Sequence, residues 1–127
     1  MSPPTPSLSP VLVHRWLAAW ASAWNQRGLE DVLDLCAFDI EFESQDLAKR
    51  WGLQGRLKGK PMLREYLMDL WGKHPALPRA LTHAFVGLSS VIACWSDGVA
   101  PHAESLELDT HGKARRVRVH LDVPPLH

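Results

Sequence analysis

Glu104 is the residue of this sequence whose chemistry most needs a partner. From His102 to Asp109 the residues alternate, with Leu106 and Leu108 on one side and Ser105 and Glu107 on the other, so a strand there carries His102 and Glu104 on its apolar face. An ionised carboxylate on such a face costs several kcal/mol unless it is paired or hydrogen-bonded, and its usual escape is to hold a proton. A carboxylic acid in a dry pocket can donate a hydrogen bond or move a proton near neutral pH, which makes Glu104 the first candidate for general acid–base work. The competing reading is structural: a Trp indole N–H or a backbone amide satisfies the carboxylate and nothing is catalysed.

His83 and His102 are candidate bases beside it, histidine being the commonest such group near neutral pH, although each reads more readily as a strand histidine satisfied by one backbone partner. No HxxxH pair or compact His/Asp cluster appears, so no metal is expected, although His83, His102 and Glu104 could converge in space; no cofactor is expected either. Cys36 and Cys94 sit among apolar residues without CxxC spacing and both read as buried free thiols of a reducing cytoplasm.

Composition bounds the rest. A chain of 127 residues, 46% hydrophobic and 22% charged, suits one domain, expected over residues 10–123 with a disordered tail at 1–9 and a short one at 124–127. Fourteen basic and fourteen acidic residues cancel, which argues against nucleic acid and anionic membranes as partners. The seven acids between Glu30 and Asp46 precede Lys49, Arg50, Arg56, Lys58, Lys60 and Arg64, and the two runs read as solvated surfaces that attract one another. No apolar run approaches the ~18 residues of a membrane span, and the Pro/Ser-rich start lacks the features of a secretory signal.

These residues need elements to position them. Ser9-Pro10 opens a helix to about Arg27, with Val13, Trp16, Leu17, Trp20, Ala23 and Trp24 on one face and Gly28 ending it. A short helix follows from Leu29 to about Cys36, then a strand with Ile40, Phe42 and Ser44 on one side. Gln45 to Lys58 reads as a long connection, and Trp51 on it either closes over a flat ligand or pins the loop. Pro61 opens a third helix bearing Tyr66 that ends by Gly72 and His74-Pro75. Strands follow at Leu81–Gly87, Val91–Trp95, His102–Asp109 and Arg115–Val123. In the last of these Val117, Val119, Leu121 and Val123 must face inward. The hairpin of Leu81–Gly87 and Val91–Trp95 is apolar on both faces, so its inward side stays open and its outer side is expected to be covered by a second subunit. Helices first and a strand meander after them mark an α+β domain.

Three segments in this order, Trp24-Asn25-Gln26-Arg27-Gly28-Leu29-Glu30-Asp31, then Asp39-Ile40-Glu41-Phe42, then Gly55-Arg56-Leu57-Lys58-Gly59-Lys60-Pro61, resemble the front half of the nuclear-transport-factor-2-like superfamily. The resemblance is to the domains of its SnoaL-like polyketide cyclases and ketosteroid isomerases. The resemblance implies a cone-shaped α+β domain, a curved antiparallel or mixed sheet wrapped around three N-terminal helices, with a cavity inside. It also implies that the isomerase general base falls at Ser44, the oxyanion tyrosine at Trp20 and the protonated oxyanion acid at Glu104. Only the last keeps a carboxyl group, so steroid isomerisation by that mechanism is not expected. The expected function is binding of a small hydrophobic molecule; whether the chain also catalyses is left open, the enzyme reading being isomerase, cyclase or dehydratase-type proton transfer by Glu104 assisted by His102 or His83. The pocket is expected from Trp16, Trp20, Phe42, Ser44, Trp51, Tyr66, Val117, Val119 and Leu121. The alternative is a non-catalytic binding or association module whose cavity its own tryptophans fill. A cytoplasmic homodimer joined through the outer sheet face completes the expectation.

Overall fold

Ser9 and Pro10 begin helix α1 (Pro10–Asn25) in the manner their chemistry favours: Ser9 Oγ accepts the amide N–H of Leu12 at 3.2 Å, and Pro10 occupies the first turn, where its missing N–H costs nothing. Val13, Leu17, Trp20 and Ala23 form its buried stripe. The computed structural model describes residues 8–74 and 77–125. Most of the expected N-terminal tail, the Pro75 stop signal, Leu126 and His127 lie outside the described residues.

The end of α1 differs from expectation. The left-handed residue is Arg27 (φ 52°), not Gly28. Its guanidinium holds that conformation in place by donating to the carbonyl oxygens of Trp71, at 2.9 Å, and His74. Those carbonyls belong to the last turn and cap of α4 (Lys60–Lys73), where unpaired C=O groups favour a cation. Helix α2 (Leu29–Asp34) is shorter than expected because Cys36 already starts β1 (Cys36–Glu43). Phe38 and Asp39 bulge outward between the pairings of Cys36 with Ala114 and Glu41 with Arg116, so the alternation becomes visible only from Ile40.

The expected connection Gln45–Lys58 is instead helix α3 (Gln45–Trp51), a 3-10 turn at Leu53–Gly55 and strand β2 (Arg56–Lys58). Ser44 is not a strand residue: it caps α3, its Oγ accepting the Leu47 amide at 3.0 Å. Seven residues are too few for helical periodicity to register in sequence. The turn back runs through four consecutive left-handed residues, Gly52, Leu53, Gln54 and Gly55. A Cβ on Gly55 would lie 3.0 Å from the Ser44 carbonyl oxygen, so that close approach requires glycine. Among the described residues the α-helices ahead of the meander therefore number four, not three.

Strands β3 (Ala80–Val86), β4 (Ser90–Ser96), β5 (Pro101–Leu108) and β6 (Ala114–Leu121) complete one six-stranded mixed sheet of order β2-β1-β6-β5-β4-β3, parallel between β1 and β6 and antiparallel elsewhere. Helix α1 packs on β3, and α4 on β1 and β2. The inner face is ordered in rows. One runs Phe42, Val117, Leu106, Val91; the next Val119, Glu104, Ala93, Ala84; the third Leu121, His102, Trp95, Leu81. The two-sided apolarity of β3 has a local cause: a register shift between Leu81 and His83 changes the parity of the strand. The seven acids of the Glu30–Asp46 run meet the following bases in part, as Glu30 with Arg64, Glu43 with Arg56 and Glu41 with Lys58. Among the described residues no helix is long and apolar enough to cross a membrane.

Candidate functional site

Glu104 sits at the centre of β5 with 2% of its surface exposed, between Val119 and the small Ala93. Both carboxylate oxygens are engaged: Oε1 accepts the indole N–H of Trp20 at 3.0 Å, and Oε2 pairs with Arg79 Nη1 at 3.1 Å. Arg79 itself is nine-tenths buried. Its guanidinium lies 4.4 Å from the centre of the Trp95 ring and 5.2 Å from that of Trp24, where stacking on the ring faces compensates part of its desolvation. Its backbone is clamped from α1, since Asn25 Nδ2 donates to the Arg79 carbonyl and Asn25 Oδ1 accepts the Arg79 amide, each at 3.0 Å.

His102 Nε2 stands 3.2 Å from Arg79 Nη1. A guanidinium only donates, so Nε2 accepts and the histidine proton resides on Nδ1. Burial, and then the Arg79 charge, lower the His102 pKa against the opposing pull of Glu104 and Asp97, which keeps the ring neutral. The result is a chain of contacts, Trp20–Glu104–Arg79–His102, in which a buried charge is paired and oriented.

A second cluster forms around Tyr66 on α4. Its hydroxyl donates to Asp46 Oδ2 at 2.6 Å and lies 3.5 Å from Ser44 Oγ. Asp46 is gripped by Arg50 through Nε at 3.1 Å and Nη2 at 3.2 Å. Burial raises the Asp46 pKa, but the hydrogen bonds from Arg50 and Tyr66 outweigh it and the net shift is downward. Burial, and then the Asp46 hydrogen bond, push the Tyr66 phenol well above its ordinary value.

The two clusters line one cavity of about 410 Å³. Phe42, Ser44, Tyr66, His102, Glu104, Val119 and Leu121 all contribute to its wall. Several expected site residues lie elsewhere. His83 is exposed on the outer face beside Phe85, because the β3 register shift turns it away. Trp16 stacks on Trp20 with ring centres 5.0 Å apart and donates to the Gly112 carbonyl. Trp20 is fully buried behind Glu104, and Val117 is fully buried in the Phe42 row; neither lines the cavity. Trp51 pins α3 to α4 by donating to Asp69 at 3.2 Å and packing edge-on against Tyr66.

Sequence reasoning missed Arg79, Asn25 and Asp46 as wall residues. Asn25 falls in the quoted Trp24–Asp31 segment. Asp46 was hidden in an acidic run, and Arg79 in a linker without periodicity. Among the described residues no group of three His, Cys, Asp or Glu side chains is placed to hold a metal.

The geometry matches known folds far better than the sequence does. No family model and no curated protein matches the chain. Among solved structures, a SnoaL-like protein of unknown function from Burkholderia thailandensis is similar over 93% of this chain and 100% of its own, with a TM-score of 0.86 at 19% identity. A nuclear-transport-factor-2-like protein from Anabaena variabilis superposes with a TM-score of 0.69 at 13% identity, covering 89% and 88% of the two chains. A protein with a ketosteroid isomerase-like fold from Catenulispora acidiphila, solved in complex with trimethylamine, gives 0.67 at 15% identity over 91% and 88%. The chain therefore has the nuclear-transport-factor-2-like fold, in the form shared by SnoaL-like and ketosteroid isomerase-like proteins.

Proposed function

We propose that this chain binds a small hydrophobic molecule in its cavity and moves a proton on it without a cofactor, in an isomerase, cyclase or dehydratase type of reaction. The observation that carries the reading is the cavity of about 410 Å³, which reaches Glu104 and also holds Asp46 and Tyr66. Glu104 has both oxygens occupied and serves as a fixed polar floor. Asp46 is also bonded at both oxygens, by Arg50 and Tyr66, but with 44% of its side chain exposed against 2% for Glu104 it is the carboxylate a bound carbon acid can reach to exchange a proton. Ketosteroid isomerisation by the isomerase pattern itself is not expected, since Ser44 holds the place of the base and its hydroxyl caps α3.

The reading with a tryptophan-filled, non-catalytic interior has less support: Trp20 and Trp95 are fully buried, yet the space beside them stays open. The proposal includes a cytoplasmic homodimer through the outer sheet face, where Phe85 and Ile92 are exposed next to His83. Deuterium exchange at the α-carbon of bound 1-tetralone, followed by NMR, tests the activity. The expected result is exchange faster than in buffer, slowed on the order of 100-fold by Asp46→Asn. Binding without such acceleration leaves a ligand-binding module and refutes the enzyme. Light scattering that gives a monomer mass at micromolar concentration refutes the dimer.

A further inference from the structure

We propose that Arg79 is the anchor for a ligand carboxylate, so that the cavity takes flat, apolar carboxylic acids; this rests on the reading of the cavity as a site for a small hydrophobic molecule. A guanidinium has five N–H donors, and here only Nη1 is engaged, by Glu104 and His102. Nε and Nη2 are buried and have no hydrogen-bond partner among the described residues. Those two atoms form the edge that fits a planar pair of oxygens, and this protein uses it so elsewhere. Arg50 grips Asp46 with one donor on each oxygen, Nε on Oδ2 at 3.1 Å and Nη2 on Oδ1 at 3.2 Å, whereas Arg116 turns the same edge onto a single oxygen, Oε2 of Glu41, at 2.9 Å from each donor. On Arg79 the same fork is held between two indole rings with no carboxylate on it.

A third donor adds to the imbalance. Trp24 Nε1 is buried and has no hydrogen-bond partner among the described residues, on the ring that stacks with Arg79. Buried donors left unmet are costly, so a surplus of donors with no unmet acceptor on the same wall favours an acceptor-rich guest. A carbonyl has to share one oxygen between the fork's two donors, as Glu41 does with Arg116, whereas a carboxylate can offer one oxygen to each donor and adds a charge. The charge is tolerable. Asp46 is neutralised by Arg50, Asp97 is held by the Val99 and Ala100 amides, and Arg27 on the same wall bonds to carbonyl oxygens and, among the described residues, to no carboxylate. Phe42, Leu70, Trp71 and Val119 give the rest of the guest an apolar surface. The fork is closed to solvent, so binding is coupled to a small opening of the Trp24–Arg79–Trp95 stack.

Calorimetry on the wild-type protein with 2-naphthoate and the matched alcohol 2-naphthalenemethanol tests the proposal. The expected preference for the carboxylate is on the order of tenfold or more, which is about 1.4 kcal/mol. Arg79→Lys keeps the charge but removes the fork, and it should abolish most of that preference by weakening the carboxylate far more than the alcohol. Should that variant fail to fold, the Arg79 Nε–H signal in a nitrogen–proton correlation spectrum of the wild type reports instead: it should shift with 2-naphthoate and not with the alcohol. Equal binding of the two probes, or an unmoved Nε–H signal, overturns the carboxylate assignment and leaves the hydrophobic-ligand reading intact. Failure of both probes to bind overturns that reading, and the assignment with it.

Discussion

Trp20 and Glu104, 84 residues apart, meet in a buried hydrogen bond of 3.0 Å, and Arg79 closes on the other carboxylate oxygen at 3.1 Å. A helix, a strand and a linker are thus tied at one point beneath the cavity. Removing one member of a buried pair leaves the other charge uncompensated, so Glu104→Gln should destabilise the fold by about 3–5 kcal/mol. Trp20→Phe, which removes a neutral donor and little volume, should cost only about 1–3 kcal/mol. Urea denaturation of the two variants checks the order; an equal or reversed cost would show that the ion pair is not what holds Glu104.

Tyr66 is the only tyrosine, so phenolate absorbance reports it alone. Its pKa is raised by burial and by Asp46, which means the folded state keeps the phenolic proton after the unfolded chain has lost it at about pH 10. The unfolded state then binds fewer protons, and stability should fall as pH rises above about 10. In the native protein the phenolate band should appear only well above the pH at which it appears in denaturant.

His102 has the opposite linkage. Its pKa is lowered, so below about pH 6.5 the unfolded chain takes up a proton that the folded one refuses. Stability should therefore decline as pH falls from 7 to 5. His102→Gln should show a shallower decline over the same window, measured by thermal melting; an unchanged slope would mean that His102 is free to protonate in the fold.

Gly52 and Gly55 bracket the turn after α3, both with positive φ, yet their surroundings differ. An added Cβ meets nothing within 4 Å at Gly52, but meets the Ser44 carbonyl oxygen at 3.0 Å at Gly55. Gly55→Ala should cost more than about 1 kcal/mol, and visibly more than Gly52→Ala, which carries backbone strain alone. Because Gly55 also accepts the Ser44 amide at 3.0 Å, the damage should spread to the cap of α3 and loosen the contact between Asp46 and Tyr66.

Much of this architecture follows from local pattern. The spacing of Val13, Leu17, Trp20 and Ala23 makes a helix with one buried face wherever it is placed. Period-two alternation puts Glu104 beside Leu106, and Val119 beside Val117, on the same inner sheet face. Where alternation is broken by one residue the pattern misleads, and the shift between Leu81 and His83 is the reason His83 points away from the cavity. Helix α3 escaped notice because a seven-residue helix offers one cap and two apolar contacts, too little to stand out from a loop.

The sequence by itself determined that a carboxylate at position 104 would be buried, since side-chain parity along a strand is a local property. It could not supply the partner. Arg79 lies in a linker whose own residues carry no periodic signal; what places it is a two-bond clamp to Asn25, 54 residues away, and a stack between Trp24 of α1 and Trp95 of β4. Asp46 likewise became a cavity residue only when α3 folded back against Tyr66. Pairing of charges across distant elements is decided by how those elements pack, and the free donor fork of Arg79 exists only in the packed molecule.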